Sequence, residues 1–283
     1  MSMSSFQKPH GLRQQYATDE NLSRRIRLHQ QYRTNPQDWE SWVFQNYRLL
    51  PDLNILELGC GNAGIWRTHA HQLPKGIRLV LSDFSPGMLD AAKANTEMLS
   101  GVDYRVIDAQ EIPYECAYFD LVIANHMLYH VPNPNRALSE IHRVLKPEGT
   151  VYTTAIGKDN LKELFELLCQ FDEQIDFGQT PVTQTFGLET GAEKLGHFFR
   201  SVDTRRYEDH LHVTDPKPLI EYVLSAQGIG NVTQRITGDK VAQFTRFIQG
   251  QFIKESFLDI RKDAGILISK GKIDLSEFPG TDD

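Results

Sequence analysis

Cysteine is scarce in this chain, and so are long apolar runs and clusters of positive charge. The three cysteines, Cys60, Cys116 and Cys169, are too few and too scattered for a disulfide framework, and none sits in a Cys-x-x-Cys or Cys/His group with zinc spacing. A reducing, cytoplasmic setting without a structural metal is the expectation. No apolar stretch reaches the roughly 18 residues of a membrane span, and the polar stretch 1–15 lacks the apolar core of a secretory signal. Lys and Arg number 30 against 37 Asp and Glu, a net charge of −7. Without clustered cations, binding to nucleic acid or anionic lipid is disfavoured. A small-molecule partner is expected, with neither nucleic acid nor membrane.

What is present is the composition of an ordinary globular protein, 40% hydrophobic and 24% charged over 283 residues. That length suits one large α/β domain with insertions, or two small domains. Helical periodicity runs from Glu20 to Tyr32, and Trp39, Trp42, Val43, Phe44 and Tyr47 form a second amphipathic stretch, so a pair of N-terminal helices is expected before Pro51. Leu53 to Leu58 is then a short apolar run closed by glycines, the pattern of a buried parallel strand.

The rhythm that follows alternates. Helices are expected at Ala63–Gln72, Pro86–Leu99 and Asn135–Leu145, with strands at Ile77–Leu81, Asp103–Ile107, Phe119–Ala124 and Thr150–Ile156. Such alternation predicts a doubly wound, mostly parallel sheet covered on both faces. Further on, a helix to about Phe171, a polar loop, a short helix at Leu188–Phe198, a strand near Phe199–Tyr207, helical periodicity over 216–258 and a last strand at Gly265–Ser269 are expected.

The chemistry concentrates at the turn after the first strand. Glu57-Leu58-Gly59-Cys60-Gly61-Asn62-Ala63-Gly64 is a Gly-x-Gly-x-x-Gly run between strand and helix. That spacing also marks dinucleotide-binding turns, and Asp83 falls about 20 residues on, as a ribose-binding acid should. A nicotinamide-dependent oxidoreductase is therefore an open alternative. Glu57 opposes it, because a carboxylate beside the turn repels a diphosphate and suits a cation; local capping or pairing is the competing role for Glu57. Asp83 has two oxygens able to accept both ribose hydroxyls. Asp108-Ala109-Gln110 offers an acid beside a small residue for an adenine amino group, with a solvated turn as the bland alternative. His126 and His130, in the run after the fourth strand, are candidate general bases by their ordinary pKa range; inward packing competes. Cys60 is read as a small packing residue of the turn, and the Trp39 and Trp42 pair as a buried helix face.

Taken as an ordered set, Ile55 to Gly64, Leu81 to Ser85, Asp108 to Gln110, Phe119 to Val131 and Ala137 to Gly149 resemble the class I S-adenosylmethionine-dependent methyltransferases. The resemblance covers about Leu53 to Ile156, and Gly265–Ser269 resembles that family's last, antiparallel strand. It implies a seven-stranded, Rossmann-like sheet domain at 51–283, with an N-terminal helical lid at 1–50 and a helical cap inserted at about 209–261. It implies S-adenosylmethionine as cofactor, with Gly59 and Gly61 at the methionine moiety and Asp83 at the ribose; Glu57 and Cys60 of the same turn are further cofactor-binding candidates. Asp108, Ala109 and Gln110 fall at adenine, and Asn125 offers its backbone carbonyl to the ammonium. Phe84, Met88, His126 and, on the lid, Tyr16 complete the cofactor-binding candidates, with Tyr32 as a second lid aromatic and core packing the competing role of both tyrosines. The activity implied is methyl transfer to a small acceptor by in-line displacement. A non-catalytic protein that kept the fold is the remaining alternative.

Overall fold

The computed structural model describes residues 27–176, 179–225 and 230–274. By compactness the chain divides into two units. The sheet unit comprises Trp39–Gly157, Thr183–Arg206 and Ala264–Asp283, and the helical unit comprises Met1–Asp38, Lys158–Val182 and Tyr207–Asp263. The first boundary thus falls at Asp38, and residues 158–182 sort with the helical unit.

In chain order the elements are α1 (Trp39–Asn46), β1 (Asn54–Leu58), α2 (Gly64–His69), β2 (Arg78–Asp83), α3 (Pro86–Thr96), β3 (Val102–Val106), β4 (Phe119–Asn125), α4 (Pro134–Val144) and β5 (Leu145–Ile156). There follow α5 (Lys162–Phe171), α6 (Gln179–Phe186), α7 (Leu188–Gly196), β6 (Phe199–Val213), α8 (Pro216–Leu224), α9 (Val232–Arg235), α10 (Asp239–Glu255) and β7 (Leu258–Lys272). The seven strands form one sheet in the order β3-β2-β1-β4-β5-β7-β6. β1 pairs in parallel with β2 and β4, β2 with β3 and β4 with β5, while β7 runs antiparallel to β5. This is the doubly wound sheet expected from the alternation. The strand order reverses between β1 and β4, and open α/β sheets bind ligands at the carboxyl ends of such a pair.

Both faces of the sheet are covered, which explains why the central strands read as unbroken apolar runs. Leu56 and Leu58 of β1, Val80 of β2 and Val122 and Ala124 of β4 pack on one face, with Ala137, Leu138, Ile141 and Val144 of α4. The alternate residues Ile55, Leu79, Leu81, Leu121 and Ile123 pack on the other, with Val43 and Phe44 of α1 and Trp66 of α2. The two-residue period of a strand produces this split. α4 starts where Asn133 caps it, the side chain accepting from Arg136 N at 3.0 Å, with Pro134 in the first turn.

The helical unit has its own core, including Leu28, Leu164, Leu168, Leu211, Leu219, Val223, Phe244 and Ile248. Two stretches differ from the expectation. The stretch read as a polar loop contains α6, whose Val182 and Phe186 are buried one turn apart in an otherwise polar run. β6 and β7 extend to Val213 and back to Leu258, so the segment read as a helical insertion from 209 to 261 begins and ends as strand. Tyr207, Asp209, Leu211 and Val213 alternate buried with exposed neighbours. Among the described residues no helix is long and apolar enough to cross a membrane, and no group of His, Cys, Asp and Glu is arranged to hold a metal ion.

Candidate functional site

The site builds from the turn that leaves β1. Gly59 and Gly61 have φ of +66° and +54°, left-handed values that glycine adopts without a Cβ penalty. At Gly59 a Cβ would stand 2.8 Å from Met127 Cβ, so the chain leaving β4 packs directly on the turn. Cys60 N donates to Ser82 O at 2.8 Å, which fastens the turn to β2. On the far side α1 approaches: a Cβ at Gly64 would lie 2.9 Å from Glu40 Oε1.

Asp83 closes β2 and faces this turn. Its Oδ2 accepts from Gly61 N at 3.0 Å and its Oδ1 from Ser85 N at 2.8 Å. A carboxylate has about four acceptor positions, so Asp83 keeps room for a ligand hydroxyl beside the backbone amides that reach it. Burial raises its pKa, opposed by the hydrogen bonds from the backbone amides of Ser85, Gly61 and Phe84. Phe84 beside it is 50% exposed, enough to offer a ring face, and Met88 is half-buried in the first turn of α3.

Glu57 does not lie open on the turn. It is buried, takes the Trp66 indole N–H on Oε2, and accepts from Asn125 Nδ2 on Oε1 at 2.9 Å. The same amide nitrogen donates to the Tyr47 hydroxyl at 2.8 Å. Tyr47 in turn packs on Trp66 and edge-on to Tyr152, at ring distances of 6.3 and 5.1 Å. Burial pushes the Glu57 carboxyl up to about 7, against the lowering effect of the Trp66 and Asn125 hydrogen bonds, with Asp83 and Glu40 adding to the rise. Local pairing therefore describes its contacts, while its charge still bears on the turn. Cys60 is buried, and desolvation with Glu57 and Asp83 nearby keeps its thiol protonated. Its surroundings are those of a packing residue and disfavour a thiolate.

At the third strand, Asp108 is exposed and bonded to its own turn: Oδ1 accepts from Gln110 N at 2.9 Å and from Gln110 Nε2 at 3.1 Å. Gln110 carries the turn to α4, its side-chain oxygen accepting from Asn133 N at 3.1 Å. Ala109 is buried between them. The turn reading of Asp108 is what these contacts describe.

After β4 the backbone bends sharply at His126, φ +47°, where the amide donates to Thr154 O at 3.1 Å and to Thr154 Oγ1 at 3.0 Å. The His126 ring lies 5.1 Å from Trp39 and 6.2 Å from Tyr129. Trp39 stacks on Trp42 at 5.5 Å, and both indoles are half-buried; the pair is not a fully buried helix face. His130 is different, because burial pushes its pKa down to about 4. It is neutral at neutral pH and a weak acceptor of a proton. Tyr32 belongs to the core of the helical unit, and Tyr16 lies outside the described residues. Sequence reasoning missed Glu40, Tyr47 and Trp66 beside the turn: the two aromatics carried only the apolar periodicity that points to packing, and Glu40 carried no signal.

Residues 56–153 match the family described as Methyltransferase domain. Over 123 residues the chain is 29% identical to the ubiquinone/menaquinone biosynthesis C-methyltransferase UbiE of Hydrogenovibrio crunogenus, covering 42% of this chain and 48% of that one. Over 136 residues it is 28% identical to the demethylmenaquinone methyltransferase of Staphylococcus epidermidis, covering 47% and 56%. The matches thus span about half the length of these curated relatives. Among solved structures, phosphoethanolamine N-methyltransferase 2 of Haemonchus contortus, in complex with S-adenosyl-L-methionine, superposes with a TM-score of 0.55 at 19% identity, over 95% of this chain and 60% of that one. With the strand order, the glycine turn after β1 and Asp83 at the end of β2, the sheet has the fold of the class I S-adenosylmethionine-dependent methyltransferases, and residues 56–153 within it match the methyltransferase domain family.

Proposed function

We propose that the protein is an S-adenosylmethionine-dependent methyltransferase acting on a small-molecule acceptor. The observation that carries this reading is the sign of the charge at the glycine turn. Glu40, Glu57 and Asp83 all bear on it, and both charged neighbours acting on Glu57 are themselves acids. A diphosphate is repelled by such a surround, whereas an ammonium and a sulfonium are attracted. The names of the relatives, which concern ubiquinone and menaquinone biosynthesis, support a small acceptor.

The residues fit this ligand. Gly59 and Gly61 present bare backbone to the methionine moiety, Asp83 keeps acceptor positions for the ribose, and Asp108, Ala109 and Gln110 would border adenine with Phe84 and Met88. When bound, S-adenosylmethionine supplies a methyl group already activated by its sulfonium. The chain's own task is to align the acceptor, exclude water and, where the acceptor carries a proton, remove it. His126, in contact with the Trp39 ring, is assigned that proton, and His130, held neutral by burial, is assigned packing. We propose acceptor selection for segments 1–50 and 209–261, and a cytoplasmic setting without a nucleic-acid partner.

The experiment is a thermal-shift comparison. S-adenosylmethionine or its demethylated product should raise the melting temperature, NAD should not, and Asp83→Ala should abolish the effect. A shift with NAD alone would return the chain to the oxidoreductases.

A further inference from the structure

Asn125 stands at the end of β4, beside the point where the strand order reverses. Its side-chain nitrogen donates twice, to the Tyr47 hydroxyl at 2.8 Å and to Glu57 Oε1 at 2.9 Å. An amide nitrogen has two protons, so both are engaged. In this orientation each amide proton meets an oxygen; turned over, the amide would set its oxygen against the ionised Glu57 carboxylate that a cationic ligand favours. The other end of the group is unmatched: Oδ1 is buried and accepts no hydrogen bond. Leaving a buried acceptor so is costly, and such groups in native proteins call for a donor.

The donor should be positive. Oδ1 belongs to an amide tied to Glu57, and the charges acting on Glu57 come from Asp83 and Glu40. An ammonium has three protons and no acceptor, and is stabilised by this field. A phosphate has only acceptors and cannot serve. The ribose hydroxyls have their own candidate partner in Asp83, at the glycine turn, where it accepts from the amides of Gly61 and Ser85.

We propose that Asn125 reads the α-ammonium of the bound donor through its side-chain oxygen, and that Tyr47 is the positioning residue that presents it. This rests on the S-adenosylmethionine reading above and differs from a contact through the Asn125 backbone carbonyl, which any residue would supply. Tyr47 touches no ligand in this scheme. It holds one amide proton of Asn125, and its ring is locked by Trp66 and Tyr152, so the hydroxyl sits on a rigid support.

The test compares two ligands by calorimetry: S-adenosylhomocysteine, and its deamino analogue, which keeps the carboxylate and thioether but lacks the ammonium. Asn125→Ala should weaken S-adenosylhomocysteine by about tenfold or more, the worth of one hydrogen bond to a charged group, and leave the analogue within about twofold. Tyr47→Phe, which keeps the packed ring, should move the first ligand in the same direction by a smaller factor and spare the second. It also serves if the Asn125 variant fails to fold. Equal losses for both ligands, or none for either, would overturn the assignment while leaving the cofactor reading intact. Failure of the unsubstituted protein to bind S-adenosylhomocysteine at all would overturn both.

Discussion

The Asp209 carboxylate meets the Lys262 ammonium at 3.1 Å inside the helical unit, with side chains 0% and 12% exposed. Asp209 does more than pair. Its Oδ1 also accepts from the backbone amides of Thr34 and Asn35, each at 3.0 Å, and of His210 at 2.9 Å, and so ties residues 34–35 to β6. The bridge between Arg33 and Leu211, and the hydrogen bond from the Tyr207 hydroxyl to Gln37 O, continue the same attachment. Lys262 lies over the Tyr207 ring at 5.3 Å, and burial lowers its pKa.

Asp209→Ala should therefore be among the most damaging substitutions in this unit. It leaves an ammonium buried without its counter-charge and three amides without their acceptor, a loss of about 3–5 kcal/mol. Adding Lys262→Met should recover part of this, because the unpaired charge is gone. Urea unfolding of the single and double variants measures both. A loss below about 1 kcal/mol in the single variant would mean that solvent reaches Lys262 and screens it.

That pair also shows where the sequence stopped being legible. β1, β2 and β4 announce themselves because each is apolar on both faces and bounded by Gly, Pro or Asp. The inner end of β6 does not, since Asp209 stands where the alternation Tyr207, Leu211, Val213 calls for an apolar residue. The glycine turn, Asp83 and the stretch after β4 were legible because a turn and a strand end are local features. The network of Tyr47, Glu57, Trp66 and Asn125 was not. Parallel pairing of β1 with β4 sets Glu57 beside Ile123 and Leu58 beside Ala124, and no local pattern in the sequence says that residue 57 will meet residue 125.

Glu57 should make stability depend on pH. Its carboxyl rises from an ordinary 4.5 to about 7 on folding. Between those values the folded chain holds a proton that the unfolded chain has released. The stabilisation is thus fully present below pH 4.5 and is lost as pH rises through 7. The loss amounts to roughly 2–3 kcal/mol at most between pH 5 and 8. Glu57→Gln cannot titrate, so its stability relative to the unsubstituted protein should improve over that range. A cationic ligand favours the carboxylate, so its binding should release a proton near pH 7 and tighten as pH rises, seen as a buffer-dependent heat in calorimetry. A difference in stability that stays flat from pH 5 to 8 would show that Glu57 is ionised throughout.

His126→Asn separates the acceptor half of the site from the cofactor half. Asn tolerates the left-handed backbone at this position better than most residues, so the bend and its hydrogen bonds to Thr154 should persist. What is lost is the imidazole beside Trp39. With the best acceptor from a panel of small metabolites, methyl transfer should fall by about a hundredfold, the usual contribution of a positioned base, while affinity for S-adenosylhomocysteine stays within about twofold. A rate unchanged from pH 6 to 9 would show that no proton passes through His126.

Alanine at Gly59 and at Gly61 should have unequal effects although both glycines are left-handed. At Gly61 nothing lies within 4 Å of an added Cβ, so the change costs only the backbone preference, about 1–2 kcal/mol. At Gly59 the added carbon meets Met127 Cβ at 2.8 Å and Cγ at 3.0 Å. Those atoms are close to the backbone and cannot swing aside like the end of a long side chain, so the chain beyond β4 must shift. An overpacking penalty of about 1–3 kcal/mol then adds to the backbone cost. The displaced segment carries Asn125 and His126, and the turn carries the cofactor contacts, so Gly59→Ala should also lose the thermal shift with S-adenosylhomocysteine while Gly61→Ala retains part of it. Equal melting temperatures for the two variants would mean that the turn and the β4 end are not in the contact described here.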